Sequence, residues 1–245
     1  MKKINKKSIE ISIILPCYNE IEHISKSIPE LIEFLENTKL NYELILIDDC
    51  SKDKTKQKIK KLAKKYSTIR WKAHKKNVGR GGTVEEGIKM SKGKIVGFID
   101  IDLEISPEYI LPAYIQLKSN YDIIMANRMY KFNIKKIMRW ITTKGYNIIM
   151  KKMLKVPFND TEAGFKFFKK KKILPILDEI KDKKWFWDTE IIVRSYYKGY
   201  KIKEIPTLFI RKNNKTSTVN LFKDSLNYFK NLIEFRKEII NIRGN

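Results

Sequence analysis

The sequence predicts an α/β protein built on an open, mostly parallel sheet with helices on both faces. Short apolar runs alternate with helix-like segments, the runs are apolar on both faces, and several of them end in polar residues. Strands covered by helices on both sides lack the polar–apolar alternation of a sheet that meets water. Regular alternation of strand and helix is typical of a doubly wound sheet. The 245 residues suffice for one large domain of this class.

The first half of the chain supplies the regular part of this sheet. Strands are predicted at residues 11–15, 42–47, 95–99 and 122–126, with a weaker one at 69–73. Helices are predicted between them at 21–37, 53–66, 80–92 and 106–119. Ligands of open α/β sheets bind beyond the carboxyl ends of the strands. The polar residues that follow each strand are therefore the candidate site.

The second half is less regular and ends in a long helix. The pattern predicts a basic helix at 135–154, a strand at 165–168, helices at 171–181 and 188–198, and a strand at 202–210. From about residue 219 to 242, two apolar stripes at helical spacing predict an amphipathic helix. We predict one domain over residues 1–217 and a C-terminal helical appendage over 218–245.

The net charge of +24 is the strongest compositional signal. Residues 1–120 carry 23 Lys and Arg against 16 Asp and Glu, whereas residues 121–245 carry 29 against 12. A basic half is typical of proteins that meet nucleic acid, a membrane surface or phosphorylated substrates. A general bias toward Lys, Ile and Asn explains the surface charge equally well. No apolar run is long enough to span a bilayer or to form a signal peptide, so a cytoplasmic location is predicted.

The most informative local feature is a group of carboxylates after the strand at 95–99. Asp100 and Asp102 follow this strand directly, and Glu104 comes two residues later. Neighbouring carboxylates repel one another, and a hard cation such as Mg²⁺ or Mn²⁺ relieves the repulsion by taking them as oxygen ligands. Helix capping is the alternative role, but Ser106 and Pro107 already suit the N-cap and the first helical position. The pattern therefore predicts a divalent metal site.

Two further loops carry residues suited to a nucleotide. Asp48 and Asp49 end the strand at 42–47, where a carboxylate can accept hydrogen bonds from a ribose or a base, although capping of the next helix is an alternative. Arg80 stands among glycines at a predicted helix start, which favours phosphate binding by free N–H groups. Neither the G-x-G-x-x-G motif after the first strand nor a P-loop is present, which argues against a dehydrogenase or a P-loop NTPase.

Five motifs together resemble glycosyltransferase family 2, and more closely its dolichol-phosphate mannose synthase and dolichyl-phosphate glucosyltransferase branch. They are Pro16-Cys17-Tyr18-Asn19-Glu20, Asp48-Asp49-x-Ser51-x-Asp53, Asn77-x-Gly79-Arg80-Gly81, Asp100-x-Asp102-Leu103-Glu104 and Asp160-Thr161-Glu162-Ala163-Gly164-Phe165-Lys166. They occur in the familiar order and cover residues 10–217 or so. The resemblance implies a Rossmann-like, nucleotide-binding sheet of the GT-A type.

The resemblance also implies roles for residues on the donor side. Those that would hold the nucleotide are Pro16, Tyr18, Glu20, Asp48, Asp49, Asn77 and Arg80. Asp102 and Glu104 would ligate Mg²⁺ or Mn²⁺, and Asp100 would lie beside the sugar or the ribose. Glu104 stands where many relatives carry Gln, and it remains an oxygen ligand.

Other residues are implied in transfer itself. Arg128 and Arg211 would act near the phosphates, with Asp160 as an auxiliary carboxylate unless it orients a turn. Lys144, Lys215 and Ser217 would bind the acceptor or the phosphates. The glycine that usually precedes this serine in the family is absent, since the sequence reads Asn213-Asn214-Lys215-Thr216-Ser217, which affects the expected loop geometry.

The function implied by the resemblance is metal-dependent, inverting transfer of mannose or glucose from a GDP- or UDP-sugar to a polyprenyl phosphate. A phosphate acceptor is already an anion, so no strong general base is needed. The alternative is a soluble transferase acting on a saccharide or protein hydroxyl, which needs a base, with Asp160, Asp188 or Glu190 as candidates. Asp188 is otherwise interpreted as the cap of the helix at 188–198.

A lipid acceptor implies a membrane surface or a membrane protein as partner. The basic segment 135–155 and the C-terminal helix fit interfacial helices, and ordinary packing explains each of them equally well. A nucleic-acid-binding protein is suggested by charge alone and lacks a recognition module, so no nucleic acid is predicted as partner. A nucleotidyltransferase on a related sheet is a further alternative.

Overall fold

The computed structural model describes residues 8–130, 145, 148–211 and 221–243. Its strands are β1 (Ile11–Cys17), β2 (Tyr42–Asp48), β3 (Ile69–Ala73), β4 (Ile95–Ile99), β5 (Ile123–Tyr130), β6 (Phe165–Lys169) and β7 (Ile202–Phe209). Its helices are α1 (Ile21–Thr38), α2 (Thr55–Lys65), α3 (Arg80–Met90), α4 (Ile110–Ser119), α5 (Lys170–Leu177), α6 (Trp187–Tyr197) and α7 (Leu221–Arg243). A short 3₁₀ turn, Pro107–Tyr109, precedes α4, and residues 148–154 are also helical.

The strands form one seven-stranded sheet in the order β3-β2-β1-β4-β6-β5-β7. The strand pairs are parallel except for those of β6, which runs antiparallel to both β4 and β5. Because β4 and β5 both oppose β6, they point the same way, and β7 follows β5. The carboxyl ends of β1, β2, β4, β5 and β7 therefore meet at one edge of the sheet, where ligands of such folds bind.

Apolar side chains on the two faces of the sheet build two separate cores. In β1, Ile13 and Leu15 face the cluster covered by α1, α2 and α4. Ile14 points the other way, into the cluster covered by α3, α5, α6 and α7. Because successive side chains of a strand point to opposite faces, an apolar run such as β1 is buried on both sides. The predicted fold class, an open sheet with helices on both faces, is confirmed.

Helix α7 packs against the second core through one of its two predicted apolar stripes. Leu232, Phe235 and Ile239 are buried there, and the rings of Tyr228 and Phe235 meet the ring of Phe186 edge-on, at centroid distances of 5.0 and 5.6 Å. Ordinary packing thus accounts for this stripe. The division of the chain between residues 217 and 218 stays a prediction.

The main departure from the predicted elements is the length of β5. The strand runs to Tyr130 rather than to residue 126 because it pairs residue by residue with β7, from Ile123↔Ile202 to Tyr130↔Phe209. Of the helix predicted at 135–154, residue 145 and residues 148–154 are described and helical. Lys144, Lys215 and Ser217 lie outside the described residues. Within the described ranges no helix is long and apolar enough to cross a membrane.

Candidate functional site

Asp100 stands at the edge of the sheet where β4 ends. Its N–H donates to the carbonyl of Gly164 at 3.0 Å, which continues the β4–β6 pairing by one residue. A Cβ atom on Gly164 would lie 1.8 Å from Asp100 Oδ2. Glycine at this position therefore leaves room for the carboxylate where it stands, and the Asp100 side chain is 43% exposed at the site.

Asp102 and Glu104 follow in a tight turn that is tied to the end of β7. Asp102 Oδ1 accepts from the N–H of Glu104 at 3.3 Å, and Leu103 between them has a φ of 50°. The carbonyl of Glu104 accepts from the N–H of Ile210 at 2.8 Å. This bond brings Arg211, the residue after Ile210, to the same side of the sheet as the two carboxylates.

The chemistry of this turn fits a hard divalent cation. Mg²⁺ is commonly held by one or two protein carboxylates together with substrate phosphates, rather than by a complete protein cage. Asp102 and Glu104 supply two such carboxylates two residues apart. Among the described residues no cluster of three or more His, Cys, Asp or Glu side chains suited to a metal ion occurs, so Asp102 and Glu104 as metal ligands stay a prediction.

Arg80, at the first position of α3, joins two acidic residues from distant parts of the chain. Its Nε and Nη2 donate to Asp100 Oδ1 at 3.1 and 2.7 Å, and its Nη1 donates to Asp188 Oδ2. The guanidinium also lies 5.1 Å from the ring centre of Phe98 and 5.7 Å from that of Trp185. Burial alone would lower the pKa of Arg80, but the two carboxylates raise it. The charge of Arg80 is thus used to hold Asp100 in place.

Asp188 is the second residue of α6, and it is buried among cations. Its other oxygen accepts from Lys166 Nζ at 2.6 Å, and Lys166 Nζ also donates to the carbonyl of Ala163 at 2.6 Å. Burial lowers the pKa of Lys166, although Asp188 opposes the shift. The N-cap of α6 is Phe186, without a side-chain cap, so the interpretation of Asp188 as a helix cap is wrong.

Asp49 fixes the loop that leads into α3. Its carboxylate accepts from the N–H groups of Val78 and Gly79 at 2.9 and 3.0 Å, and from His74 Nδ1 at 2.7 Å. The amide of Asn77 donates to the carbonyl of Asp49 at 3.1 Å. Asp49 and Asn77 therefore shape the loop before α3 through contacts within the protein, and their contact with a nucleotide stays a prediction.

Several N–H groups at the start of α3 bond within the protein. Those of Val78 and Gly79 meet Asp49, and that of Gly82 donates to the carbonyl of Lys183 at 2.9 Å. That the start of this helix binds a phosphate stays a prediction. The glycines also have a packing role, since a Cβ atom on Gly81 would lie 2.4 Å from Cβ of Trp187. They let the segment before α6 come close to α3.

Asp48, by contrast, has a carboxylate oxygen without a partner among the described residues. The side chain is buried, and its Oδ1 has no hydrogen-bond partner among the described residues, whereas Oδ2 accepts weakly from the N–H of Ser51 at 3.4 Å. Buried polar groups are normally paired, so an unpaired oxygen at a strand end suggests a partner that the chain itself does not supply. Pro16 and Tyr18 lie alongside, since Cys17 pairs with Asp48 in register, and Glu20 precedes α1.

A second ion pair joins Arg128, near the end of β5, to Asp160 in the loop before β6. Both Asp160 oxygens accept from the guanidinium at 2.7 Å, and one of them accepts from the Arg128 N–H at 3.0 Å. Asp160 is 3% exposed. The rings of Tyr130 and Phe209 lie 5.9 and 5.7 Å from the same guanidinium. Paired in this way, Asp160 orients Arg128.

Glu162 is a site residue that the sequence prediction did not select. Burial raises the pKa of its carboxyl, the charges of Asp160 and Asp188 act in the same direction, and Arg128 opposes them. The hydroxyl of Tyr228 on α7 forms a hydrogen bond with this carboxyl. The sequence offered a signal, because Glu162 lies inside a motif between two predicted functional positions.

Lys166 and Glu190 are two further buried charged residues. Lys166 is fully buried at the second position of β6, where a lysine among phenylalanines signals a buried acidic partner. Glu190 accepts from Arg194 and from the N–H groups of Lys181 and Asp182. Through these contacts Glu190 holds α6 to the loop before it, and its carboxylate is occupied within the protein.

Comparison with known sequences identifies the family. The profile described as Glycosyl transferase family 2 matches residues 12–176. Glycosyltransferase AglD of Haloferax volcanii is 27% identical over 223 residues, which are 89% of this chain and 35% of that protein. Dolichyl-phosphate beta-glucosyltransferase of Dictyostelium discoideum is 27% identical over 253 residues, 96% of this chain and 74% of that protein. The chain thus spans about a third of the archaeal relative and three quarters of the amoebal one.

A solved structure shares the fold. Glucosyl-3-phosphoglycerate synthase of Mycobacterium tuberculosis, in complex with Mn²⁺, UDP and glucosyl-3-phosphoglycerate, superposes with a TM-score of 0.69. The match covers 93% of this chain and 79% of that one at 17% sequence identity. The likeness supports the same GT-A arrangement of sheet and helices.

Proposed function

Since the chain belongs to glycosyl transferase family 2, we propose that it transfers a hexose from a nucleotide-sugar to a polyprenyl phosphate, with inversion and with the help of Mg²⁺ or Mn²⁺. The amoebal relative is named for glucosyl transfer to dolichyl phosphate, which supports glucose as the sugar and such a lipid as the acceptor. Mannose from GDP-mannose is the second sugar to test.

The donor nucleoside fits the edge of the sheet at the ends of β1 and β2. The unpaired Asp48 Oδ1 suits an N–H of a base or a ribose hydroxyl, and Tyr18 directly follows the neighbouring strand β1. Asp100, held by Arg80, would meet the ribose or the sugar between β1 and β4. Asp102 and Glu104 would hold the metal, which when bound supplies positive charge for the leaving diphosphate. The Mn²⁺ and UDP in the mycobacterial neighbour support this assignment.

The acceptor class is argued from one observation, the pairing of every base candidate chosen from the sequence. Asp160 is bound by Arg128, Asp188 by Arg80 and Lys166, and Glu190 by Arg194. Both oxygens of each carboxylate accept hydrogen bonds within the protein, so none of the three is free to contact an acceptor hydroxyl. An alcohol acceptor needs a base within reach, whereas a phosphate monoester is already an anion. The pairing therefore favours a phosphate acceptor.

The proposed displacement is a single step. An oxygen of the acceptor phosphate approaches the anomeric carbon to about 3–3.5 Å, in line with the bond to the nucleoside diphosphate. The new C–O bond forms as the old one breaks, and the electron pair leaves with the diphosphate. Arg128, oriented by Asp160, and Arg211, after β7, stabilise the charge on phosphate oxygens. Displacement from the opposite side inverts the anomeric centre.

A second function, transfer to a saccharide or protein hydroxyl, is favoured by Glu162 alone. Burial raises the pKa of this carboxyl, which makes its ionised form a stronger base. Its neighbours Arg128 and Asp160 belong to the same site. Under this alternative Glu162 would remove the hydroxyl proton as the sugar is transferred.

A transfer assay with labelled donors tests the proposal. UDP-glucose and GDP-mannose are each incubated with dolichyl phosphate and Mn²⁺ or Mg²⁺, and label is counted in the organic phase. We expect labelled lipid, release of nucleoside diphosphate and a product of inverted anomeric configuration. Label in a water-soluble saccharide would favour the hydroxyl acceptor, and release of pyrophosphate would reveal a nucleotidyltransferase.

The metal assignment predicts the effect of Asp102→Asn. Loss of a negatively charged ligand should lower the rate of metal-dependent transfer by at least about 100-fold. The reason is that a bound metal stabilises the charge of the transition state by several kcal/mol. The matched control is Glu108→Gln, which neutralises an exposed carboxylate four residues beyond the turn. Circular dichroism should show that both variants keep the fold. Near-full activity of Asp102→Asn would refute the metal site.

A further inference from the structure

Trp185 is an exposed aromatic residue beside the donor site. Trp185 is 46% exposed, whereas Trp187, two residues later, is completely buried against Phe98. The Trp185 ring lies 5.7 Å from the Arg80 guanidinium, which itself holds Asp100 at 2.7 Å. An exposed indole thus stands one side chain away from the carboxylate at the end of β4.

The loop that carries Trp185 is held rigidly on both sides. Asp182 Oδ1 accepts from the N–H groups of Lys184 and Trp187 at 2.7 and 3.1 Å. The carbonyl of Lys183 accepts from the N–H of Gly82 at 2.9 Å, and Asn231 of α7 donates to Asp182 Oδ2 at 3.0 Å. The backbone around Trp185 is therefore anchored to α3, α6 and α7 at once.

The start of α3 is shaped to let this loop approach. A Cβ atom on Gly79 would lie 2.5 Å from the carbonyl oxygen of Lys183, and one on Gly81 would lie 2.9 Å from that of Lys184. These glycines thus leave room for the segment that presents Trp185, while the ring itself remains partly uncovered.

Resting on the proposed function, we propose that Trp185 is the stacking platform for the hexose of the donor and so determines which sugar is accepted. The apolar face of a pyranose carries axial C–H groups, which pack on the face of an indole. The Trp185 ring lies beside Arg80, the same guanidinium that holds Asp100, and the residue keeps 46% of its surface exposed. A side chain on an anchored backbone loses less conformational entropy when it binds.

The chemistry also predicts a preference among sugars. Glucose has all of its ring hydroxyls equatorial, so both faces of the ring offer C–H groups. Mannose carries an axial hydroxyl at C2, which makes one face more polar. A platform of this kind therefore favours glucose over mannose when the polar face of mannose would meet the ring.

Binding measurements on the full chain separate the platform from the rest of the site. Titration calorimetry with Mn²⁺ compares UDP with UDP-glucose, and GDP with GDP-mannose, for the wild type and for Trp185→Phe, Trp185→Leu and Trp185→Ala. Trp185→Leu keeps an apolar group over Arg80 without a ring face. The matched control is Trp71→Phe, because Trp71 lies in β3 with its own cation contact to Lys60 at 5.6 Å.

The expected result is a selective loss of sugar affinity. Trp185→Ala and Trp185→Leu should bind the preferred nucleotide-sugar about tenfold more weakly, with less than about a twofold change for the free nucleotide. Trp185→Phe should retain most of the affinity, and Trp71→Phe should behave as the wild type.

Other outcomes overturn the inference in distinguishable ways. Equal binding of the nucleotide-sugar by the wild type and Trp185→Ala rejects the platform and leaves the proposed function intact. A raised KM for the acceptor with unchanged donor affinity rejects the assignment to the hexose. Wild-type protein that binds none of the four nucleotides rejects the proposed function and the platform together.

Discussion

Most of the charged residues at the site form ion pairs with one another. Arg80 joins Asp100 to Asp188, Asp188 is shared with Lys166, and Arg128 is gripped by Asp160. Buried ion pairs of this kind orient side chains more reliably than they stabilise the fold, because desolvation offsets much of their attraction. Two groups at the site are not neutralised in this way and remain candidates for chemistry. They are the Asp48 oxygen and the Glu162 carboxyl.

The substitution Glu162→Gln decides between the two acceptor classes. If the acceptor is a phosphate, transfer should stay within about threefold of the wild type, since no proton has to be removed at the site. If the acceptor is a hydroxyl, transfer should fall by about 100-fold or more, the contribution typical of a general base. The measurement is the initial rate of transfer to dolichyl phosphate and to a saccharide acceptor.

The pH profile gives an independent reading of the same variant. Only the ionised carboxylate is a base, so hydroxyl transfer would fall as the pH drops through the raised pKa of Glu162. Glu162→Gln should remove this limb and Glu162→Asp should restore part of it. A wild-type rate that is flat in this region would count against a base role for Glu162.

At the scale of elements, the loop between β3 and α3 depends on a histidine. His74 Nδ1 meets Asp49 at 2.7 Å and its Nε2 meets Glu86 of α3, so the ring bridges the end of β2 to a helix. Burial opposes protonation of the ring, but the hydrogen bonds with Asp49 and Glu86 outweigh it and raise the pKa of His74. Asp49 in turn holds the N–H groups of Val78 and Gly79. The loop is therefore sensitive to the charge of one ring.

The raised pKa of His74 predicts how stability changes with pH. Protonated His74 stabilises the folded state fully below the unfolded pKa of about 6.5, and this contribution is lost as the pH rises through the higher folded value. His74→Gln should lower the free energy of unfolding by on the order of 1–3 kcal/mol at pH 6 and by less at high pH. Urea unfolding from pH 6 to 9 measures both curves.

The second histidine provides the control for this experiment. His23→Gln alters a ring on α1 whose Nε2 lies 4.0 Å from Glu20 and has no part in the loop before α3. This variant should retain the wild-type pH dependence between pH 6 and 9. Parallel curves for the wild type and His74→Gln would show that the His74 bridge does not govern the loop.

At the scale of the whole molecule, the exposed side chains of α7 suggest how the protein could reach a lipid acceptor. The inner stripe of the helix is buried in the core, whereas Ile233 and Ile240 are 37% and 52% exposed. Arg236 and Lys237 are exposed between them, and residues three and four apart share one face of a helix. An apolar pair flanked by cations on a protein with a net charge of +24 suits an anionic lipid surface.

We therefore propose that α7 contributes to membrane contact, and vesicle sedimentation tests it. Binding to vesicles with phosphatidylglycerol should exceed binding to pure phosphatidylcholine and should weaken as salt rises, since ions screen the attraction. The double substitution Ile233→Ser, Ile240→Ser should weaken binding by at least about tenfold, because two apolar side chains no longer insert.

A matched surface substitution guards against a general effect of polarity. Ile115→Ser changes an isoleucine that is 57% exposed on α4, which covers the opposite face of the sheet. It should leave vesicle binding unchanged. Equal loss in Ile115→Ser and in the α7 double variant would remove the support for a membrane role of this helix.

The sequence by itself determined the fold class and the edge of the sheet that carries the site. Apolar runs such as β1 and β4 are local patterns, and a polar residue after such a run is placed by chain direction alone. That is why Asp48, Asp100 and Asp102 could be selected without coordinates. The motifs also placed the chain in its family before any contact was known.

Only the tertiary structure decided which charges meet. Arg80 and Asp188 are 108 residues apart in the chain, and no periodicity reports such a contact. The sequence suggests Asp188 as a helix cap, whereas it joins α6 to Arg80 of α3 and to Lys166. The glycines around Arg80 let α6 come close to α3, and the sequence does not report this approach either. Glu162 and Trp185 are not selected from the sequence for the same reason. Their chemistry depends on burial and neighbours, which exist only after the sheet and its helices have packed.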